Sequence, residues 1–357
     1  MKLITIAGAC FLMLSVVFVR CRSTQNKQVK SAASWSNSTA ADAAPIVRLA
    51  EAFKATLTPD QLSLLQLEYS KKDAVKWSNF PQGAARPARV GVSIGTFNTT
   101  QLAAFKALMT SALAQGSANE GYDELEGILA ADDYFGTTLG KSNMFGRKYF
   151  FIAFLGNPTT SGLWELQYGG HHFAFSNTYN NGKIIGATPS FRGVEPMLPI
   201  AAGNRAYQPM EQERDAFNKL IETLNEAEKA TAKLSNIFSD VLLGPGKDGK
   251  FPETRQGIRI TDLNDTKQKQ ALRAIELYVK DLDATTAKNV MAKYTAELPN
   301  TCLSYSGSGS MNQNNDYVRI DGPGIWIEYS AQPSRDFPGT THPHSVWRDR
   351  KTDYGGN

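Results

Sequence analysis

The stretch Trp-Glu-Leu-Gln-Tyr-Gly-Gly-His-His-Phe-Ala-Phe, residues 164–175, combines aromatic and apolar residues with two adjacent glycines and two adjacent histidines. The aromatic and apolar residues predict one β-strand over residues 162–175. Because neighbouring side chains of a strand point to opposite faces, we expect His171 and His172 to face opposite sides of a sheet. Asn181-Gly182, a strong type I′ turn signal, predicts a hairpin to a further strand at 183–188.

Working outward, strands are predicted in two distant blocks. A central hairpin block (148–188) contains strands at 148–155, 162–175 and 183–188. A C-terminal block (301–330) contains strands at 301–306, 316–321 and 324–330. Helical patterns flank the blocks at 45–69, from Asn98 onward, and at 120–132, 209–234, 265–282 and 285–297. The pattern favours an α+β fold with one antiparallel or mixed sheet, followed by an aperiodic end, 331–357.

The N-terminal part predicts export. Lys2 is followed by an apolar run from Leu3 to Val19, so we expect residues 1–22 to be a signal peptide or an N-terminal anchor. Lipidation at Cys21 is an alternative. Residues 23–44 have the composition of a flexible tether, and residues 45–357 are expected to form a single α+β domain. The expected location is therefore the periplasm or the membrane-anchored cell envelope.

The bulk composition restricts the partners. Apolar residues make up 41% of the chain and charged residues 20%, which allows a sizeable core. The net charge of +4 is spread along the chain, and no nucleic-acid-binding motif is evident, so we expect no nucleic acid partner. No feature indicates an obligate protein partner. The expected partner is a small-molecule substrate of unknown identity, with membrane attachment only through the N-terminus.

The four histidines of the chain form two pairs about 170 residues apart. In an extended segment, His342 and His344 would point to the same side and could bind one ion together. A third ligand could come from His171 or His172, and the sequence leaves that choice open. The alternative is that these are ordinary strand and tail histidines.

Other polar residues extend this predicted site. Glu328, on a strand beside large apolar residues, could be a metal ligand or a general base; alternatively, it pairs with Arg319 across the hairpin. Arg348 could bind a carboxylate or phosphate of a substrate. Asp349 or Asp353 could orient a ligand histidine through its second nitrogen.

Histidines combined with a carboxylate suit a divalent metal ion. We expect zinc, with copper and iron as alternatives. The predicted function is metal-assisted hydrolysis of a small molecule. The alternatives are a copper- or iron-dependent oxidoreductase and a non-catalytic ligand-binding module of the cell envelope.

An ordered series of motifs resembles the domain-of-unknown-function family thirty-five hundred. The motifs include Trp-Ser-Asn-Phe-Pro at 77–81, Gly-Gly-His-His at 169–172, Thr-Pro-Ser-Phe-Arg-Gly-Val-Glu-Pro at 188–196, Tyr-Val-Arg-Ile-Asp-Gly-Pro at 317–323 and His-Pro-His-Ser-Val-Trp-Arg-Asp at 342–349. The resemblance covers about residues 40–357. It implies one integral domain of a secreted or periplasmic protein, and it implies no activity. Arg192 stands where the family pattern leads us to expect an apolar residue.

Overall fold

The structure, a computed structural model, describes residues 42–82, 84, 88–116 and 118–357. The predicted signal peptide or anchor, including Cys21, and most of the predicted tether lie outside these residues. Within the described ranges, no helix has both the length and the apolar character needed to cross a membrane.

The helices mostly begin where capping residues predict. Thr58 and Asn98 each accept a hydrogen bond from the backbone N–H three residues later, and the side chains of Gln61 and Gln101 return the bond, so both predicted capping boxes are present. The predicted helix at 209–234 is divided in two, because Asn225 caps a new helix. In the described part of the chain the helices are α1 (Ala44–Lys54), α2 (Pro59–Leu65), α3 (Lys71–Ala74), α4 (Thr99–Ala112), α5 (Tyr122–Thr138), α6 (Glu211–Glu222), α7 (Glu226–Ala232), α8 (Asp265–Val279) and α9 (Ala284–Glu297).

Twelve of the strands found in the described residues form one sheet. Its order is β1-β3-β4-β5-β7-β14-β13-β12-β11-β10, with β2 beside β3 and β6 beside β5; only β1–β3 is parallel. β8 and β9 form a separate hairpin. The strands are β1 (Gln66–Leu67), β2 (Val92–Ser93), β3 (Phe151–Leu155), β4 (Leu163–Gly170), β5 (Phe173–Asn180), β6 (Lys183–Gly186), β7 (Ser190–Gly193), β8 (Ile200–Ala202), β9 (Arg205–Tyr207), β10 (Ile258–Arg259), β11 (Cys302–Ser306), β12 (Asp316–Asp321), β13 (Ile325–Pro333) and β14 (Thr341–Asp349).

The central and C-terminal blocks are joined through two further strands, β7 beside β5 and β14 beside β13, which pair antiparallel with each other. In this junction Gly193 lies opposite His344, and Ser190 lies opposite Trp347. The prediction that both blocks join one sheet in an α+β fold is therefore confirmed. β7 is only four residues long, so a short strand connects the two halves of a large sheet.

The two faces of the sheet differ in polarity. One face packs against the helices in the main core, where Tyr168, Phe173 and Trp347 are buried with helix residues such as Phe105 and Ile275. The opposite face is covered mainly by loops and carries buried polar residues. These include Glu165, Gln167, Arg319, Glu328, His344 and Arg348. Buried polar groups need partners, so this loop-covered face holds many specific hydrogen bonds.

The prediction of one strand over residues 162–175 is wrong. This stretch forms the hairpin β4–β5, with its turn at His171-His172. His172 adopts a left-handed backbone conformation (φ 66°), which histidine tolerates better than most residues. Its N–H donates to Asn79 O (3.3 Å), and its carbonyl accepts from Gly193 N (2.7 Å). The predicted Asn181-Gly182 turn is confirmed, with φ values of 49° and 74°.

The expectation that residues 331–357 are aperiodic is wrong, because they contain strand β14. The sequence of β14 does not alternate cleanly between apolar and polar residues, because the side chains that face the loop-covered side include His344 and Arg348. β14 is flanked by β13 on one side and by β7 on the other, so its backbone is paired along both edges.

Candidate metal centre

Three histidines from the two halves of the sheet meet at one point. One nitrogen from each of His172, His342 and His344 lies within 4.8 Å of the others. The Nε2 atoms of His172 and His342 are 2.8 Å apart. The ring centroids of His172 lie 4.7 Å from His342 and 5.3 Å from His344. These three histidines could hold a metal ion.

The sheet positions two of these rings directly. His342 and His344 are alternate residues of β14, so they share a face, and their ring centroids are 4.6 Å apart, as the His-x-His spacing predicts. The third ring comes from the β4–β5 turn, which packs against the β7–β14 junction. The sequence therefore identifies the pairs correctly, although it places His172 on a strand rather than in a turn.

Gly193 provides the space for two of the rings. A Cβ atom at this position would lie 2.9 Å from Cδ2 of both His172 and His344. Carbon atoms in ordinary contact are about 3.5–4.0 Å apart, so no larger residue fits without moving the rings. The missing side chain of Gly193 is a structural requirement of the centre.

Carboxylates hold the outer nitrogens of two histidines. His344 Nδ1 lies 3.0 Å from Asp240 Oδ1 and 2.7 Å from Gln332 Nε2, and Gln332 Nε2 lies 2.9 Å from the same aspartate oxygen. His342 Nδ1 lies 3.4 Å from Glu195 Oε2. In the tautomer whose Nδ1 donates to the carboxylate, Nε2 keeps a free lone pair, and His344 Nε2 is buried with no hydrogen-bond partner. Neighbouring carboxylates of this kind orient histidines that bind metals.

Burial favours the neutral form of His172 and His342. Burial, with smaller effects from the other three histidines, holds the pKa of His172 well below its usual range. Burial and the neighbouring His344 and His171 lower the pKa of His342 to about 2. Neutral imidazole is the form that binds metal ions, so these rings need not lose protons first at neutral pH.

His171 lies behind His172 and outside the group of three. Its ring stacks on the His172 ring, with centroids 3.6 Å apart and planes at 28°. Its Nδ1 is 2.5 Å from Asp132 Oδ1, and Phe145 packs edge-on at 4.9 Å. The expectation that the two adjacent histidines face opposite sides is wrong, because a turn lets consecutive rings stack. His171 is placed to hold His172 rather than the ion.

Glu328, predicted as a ligand or general base, does not belong to the group. Its carboxylate is fully buried and accepts four hydrogen bonds, from Leu242 N (2.7 Å), Leu243 N (2.9 Å), Tyr317 Oη (2.7 Å) and Trp326 Nε1 (2.7 Å). Burial raises its pKa, and these donors oppose the rise. Glu328 therefore anchors the loop that carries Asp240.

The alternative partner of Glu328, Arg319, does lie opposite it in the β12–β13 register. The Arg319 guanidinium stacks over the Trp326 ring at 5.0 Å and contacts Gln256 at 3.3 Å. These contacts build the interior of the loop-covered face at a separate place from the histidines.

Arg348, predicted to bind a substrate, is fully buried and already has partners. Its Nε donates to Asp353 (2.8 Å), Nη2 to Asp248 (2.6 Å) and Nη1 to Leu243 O (3.2 Å). Asp349 accepts instead from Lys293 and Tyr294. Neither predicted aspartate orients a histidine.

The carboxylates that lie beside the histidines are those of Asp240 and Glu195, in place of the predicted Asp349 or Asp353. Asp240 comes from the long loop before β10, and no local signal distinguishes it from other loop acids. Glu195 is part of the motif at 188–196, and its place directly after β7 could have indicated it.

Arg192 precedes Gly193 but points to the helix-covered face. It is buried beside Glu124 (2.6 Å) and Asp281, with its guanidinium 4.8 Å from the Tyr278 ring. It therefore belongs to a buried charge cluster on the other side of the sheet and does not line the histidine centre.

Comparison with known proteins finds one family. The family described as "Protein of unknown function (DUF3500)" matches residues 39–356, which confirms the resemblance seen in the motifs. No curated protein and no solved structure matches the chain.

Proposed function

Because the chain belongs to the DUF3500 family, whose function is unknown, we propose its function from the geometry of the histidine centre. We propose that His172, His342 and His344 hold one divalent metal ion and that the protein is a metal-dependent hydrolase of a small molecule. The observation that carries this proposal is the convergence of three imidazoles on one point, two of them buried and the third, His342, partly buried. Three histidines with an open fourth position form a common arrangement in catalytic zinc sites.

The distances suit an ion of this size. Tetrahedral zinc with bonds of about 2.0–2.1 Å needs ligand nitrogens about 3.3 Å apart. The histidine nitrogens lie between 2.8 Å and 4.8 Å from one another, so small rotations of the rings reach that value. The buried, partnerless Nε2 of His344 would gain the partner that it lacks.

A bound zinc ion supplies Lewis acidity and lowers the pKa of a bound water towards about 7. The chain supplies orientation and access. Asp240 and Glu195 fix the outer nitrogens, and Gly193 fixes the ring positions. The side chains of Asp240 (46% exposed) and His342 (19% exposed) are the most open parts of the centre, so a substrate would approach from their side.

Metal analysis of the purified chain tests this proposal. We expect close to one equivalent of zinc per chain, retained through gel filtration. The double variant His342→Ala/His344→Ala should lose the metal. The variant His171→Gln removes an imidazole outside the group of three but keeps all three proposed ligands, so it should still take up one equivalent when loaded with zinc.

The same preparation separates the alternative chemistries. Zinc together with metal-dependent cleavage of chromogenic ester, phosphate or amide substrates supports hydrolysis. A redox-active copper or iron signal by electron paramagnetic resonance would favour the oxidoreductase instead. If no divalent metal binds after loading with zinc, copper or iron, the metal proposal is rejected and a non-catalytic binding module remains.

We further propose that the protein is exported, on the strength of the apolar run Leu3–Val19. Mass spectrometry of the mature N-terminus distinguishes cleavage, lipidation at Cys21 and retention of an anchor. An unprocessed N-terminus in a cytosolic fraction would contradict export.

A further inference from the structure

A polar cleft of about 450 Å³ lies where the β13–β14 hairpin loop meets the loop before β12. This volume falls within the range of about 300–1,000 Å³ found for small-molecule sites. The described residues that line it carry no charged side chain. They are Asn312, Gln313, Asn314, Pro333, Ser334, Gly339, Thr340 and Thr341.

One wall of the cleft presents three consecutive amides. The side-chain amides of Asn312, Gln313 and Asn314 have no hydrogen-bond partner among the described residues. Each amide offers both donors and an acceptor. The wall can therefore form several hydrogen bonds with an uncharged ligand.

The buried carboxylate of Asp316 holds the loop that carries these amides. Asp316 is fully buried and accepts hydrogen bonds from Ser308 N (2.6 Å), Ser308 Oγ (2.8 Å), Ser310 Oγ (3.1 Å) and Gln313 N (3.0 Å). A loop fixed in this way loses little freedom when a ligand binds, which favours affinity. The backbone that carries the amides is therefore preorganised, and the exposed amide side chains take up their positions on binding.

The opposite wall connects the cleft to the histidine centre. Thr341 directly precedes His342 on β14. Ser334 Oγ donates to Glu195 Oε1 (2.6 Å), and the other oxygen of Glu195 faces His342 Nδ1. The side chains of Thr341 and His342 point to opposite faces of β14, so the link between the cleft and the centre is the set of contacts from Ser334 through Glu195 to His342.

We propose that this cleft is the recognition subsite of the histidine centre for a neutral saccharide or for the sugar part of a glycoside. The inference rests on the proposed function, because it assigns a substrate class to that centre. Amides and hydroxyls match the paired donors and acceptors of sugar hydroxyls. A phosphate or carboxylate would find no cation in the lining. An extended peptide would find no long free strand edge, because β12 covers β13 as far as Ala331 and β14 covers the other edge of β13.

Isothermal titration calorimetry on the full chain tests the subsite with defined probes. The probes are maltotetraose, cellotetraose and tetra-N-acetylchitotetraose, with tetra-alanine amide and trigalacturonate as the non-matching ligands. We expect at least one neutral saccharide to bind, and Asn312→Ala/Asn314→Ala to weaken it about tenfold or more through lost hydrogen bonds. Both residues are exposed, so these changes should leave the fold intact. Asn300→Ala, an exposed amide outside the cleft, is the matched control.

The outcomes separate this inference from the metal proposal. Saccharide binding that survives in the metal-free His342→Ala/His344→Ala variant and weakens in the cleft variant supports the subsite, whether or not the centre binds metal. Metal binding without binding of any neutral saccharide overturns the subsite and leaves the metal proposal standing. Binding of the peptide or the acidic sugar alone, or saccharide binding that the cleft variant does not change, also overturns it.

Discussion

The substitution Gly193→Ala should disable the metal centre by adding a single methyl group. The new Cβ would lie 2.9 Å from the His172 and His344 rings, about 0.6 Å short of the closest ordinary carbon contact of roughly 3.5 Å. Two of the three rings must then move apart by about that amount. Metal–ligand bond lengths in a formed site lie within about 0.2 Å of their ideal values, so the rings could hold the ion only by shifting back against the new methyl group.

We therefore expect zinc affinity to fall by about 10- to 100-fold, the range seen when groups around metal ligands are changed. Overpacking the junction should also lower the free energy of unfolding of the metal-free chain by about 1–3 kcal/mol. Competition with a chromophoric chelator measures the affinity, and urea unfolding in EDTA measures the stability.

The matched control is Gly244→Ala, where a Cβ would meet only the tip of Val241 at 3.4 Å. It should leave both quantities unchanged. If Gly193→Ala bound zinc as tightly as the unmodified chain, the rings would not hold the ion in the observed arrangement, and the reasoning from Gly193 would be refuted.

Three further predictions concern the surroundings of the centre and the loop-covered face. Asp240→Asn keeps the size of the side chain that holds His344 but removes its charge, so zinc affinity in the chelator assay should fall about tenfold. Burial raises the pKa of Glu165 from 4.5 to about 7, so the folded state keeps a proton that the unfolded state loses. Its contribution to stability is therefore present below pH 4.5 and lost by pH 7, about 3 kcal/mol in all, and Glu165→Gln should remove this decline in urea unfolding across that pH range. Arg348→Ala should destabilise the chain by about 3–5 kcal/mol in urea unfolding, because it leaves Asp353 buried without its cation.

Controls and contradicting results follow from the same contacts. Asp60→Asn, an exposed acid in α2, should leave zinc affinity unchanged, and equal losses at both aspartates would point to a general charge effect. A pH dependence that persists in Glu165→Gln would assign the decline to other groups. A loss below 1 kcal/mol for Arg348→Ala would show that Asp353 finds water when its partner is removed.

Local sequence signals predicted the elements that local chemistry determines. The capping boxes at Thr58 and Asn98 and the turn at Asn181-Gly182 form within a few residues, so they appear as predicted. The turn at 171–172 was missed because aromatic residues continue on both sides of it. The packing at this end of the hairpin depends on a tertiary contact that the sequence does not reveal: the Phe150 ring occupies the space that a side chain at Gly170 would need.

The sequence does not indicate strand β14 for a related reason. Its inward residues include His344 and Arg348, which have the polarity of a loop and are buried only because distant residues satisfy them. The two histidine pairs can be recognised from the positions of the four histidines in the sequence. Asp240 could not, because its role depends on a long loop that Glu328 holds through the Leu242 and Leu243 amides.

The four-residue strand β7 joins β5 of the central block to β14, which pairs with β13 of the C-terminal block. His172 lies in the β4–β5 turn on one side of the β7–β14 pairing, and His342 and His344 lie on β14 on the other side, so an ion bound by all three would link the two parts of the sheet. In a pulling experiment that separates the two blocks, the β7–β14 pairing should part at higher force when zinc is present than in EDTA. The bound ion would then stabilise the sheet mechanically in addition to any catalytic role.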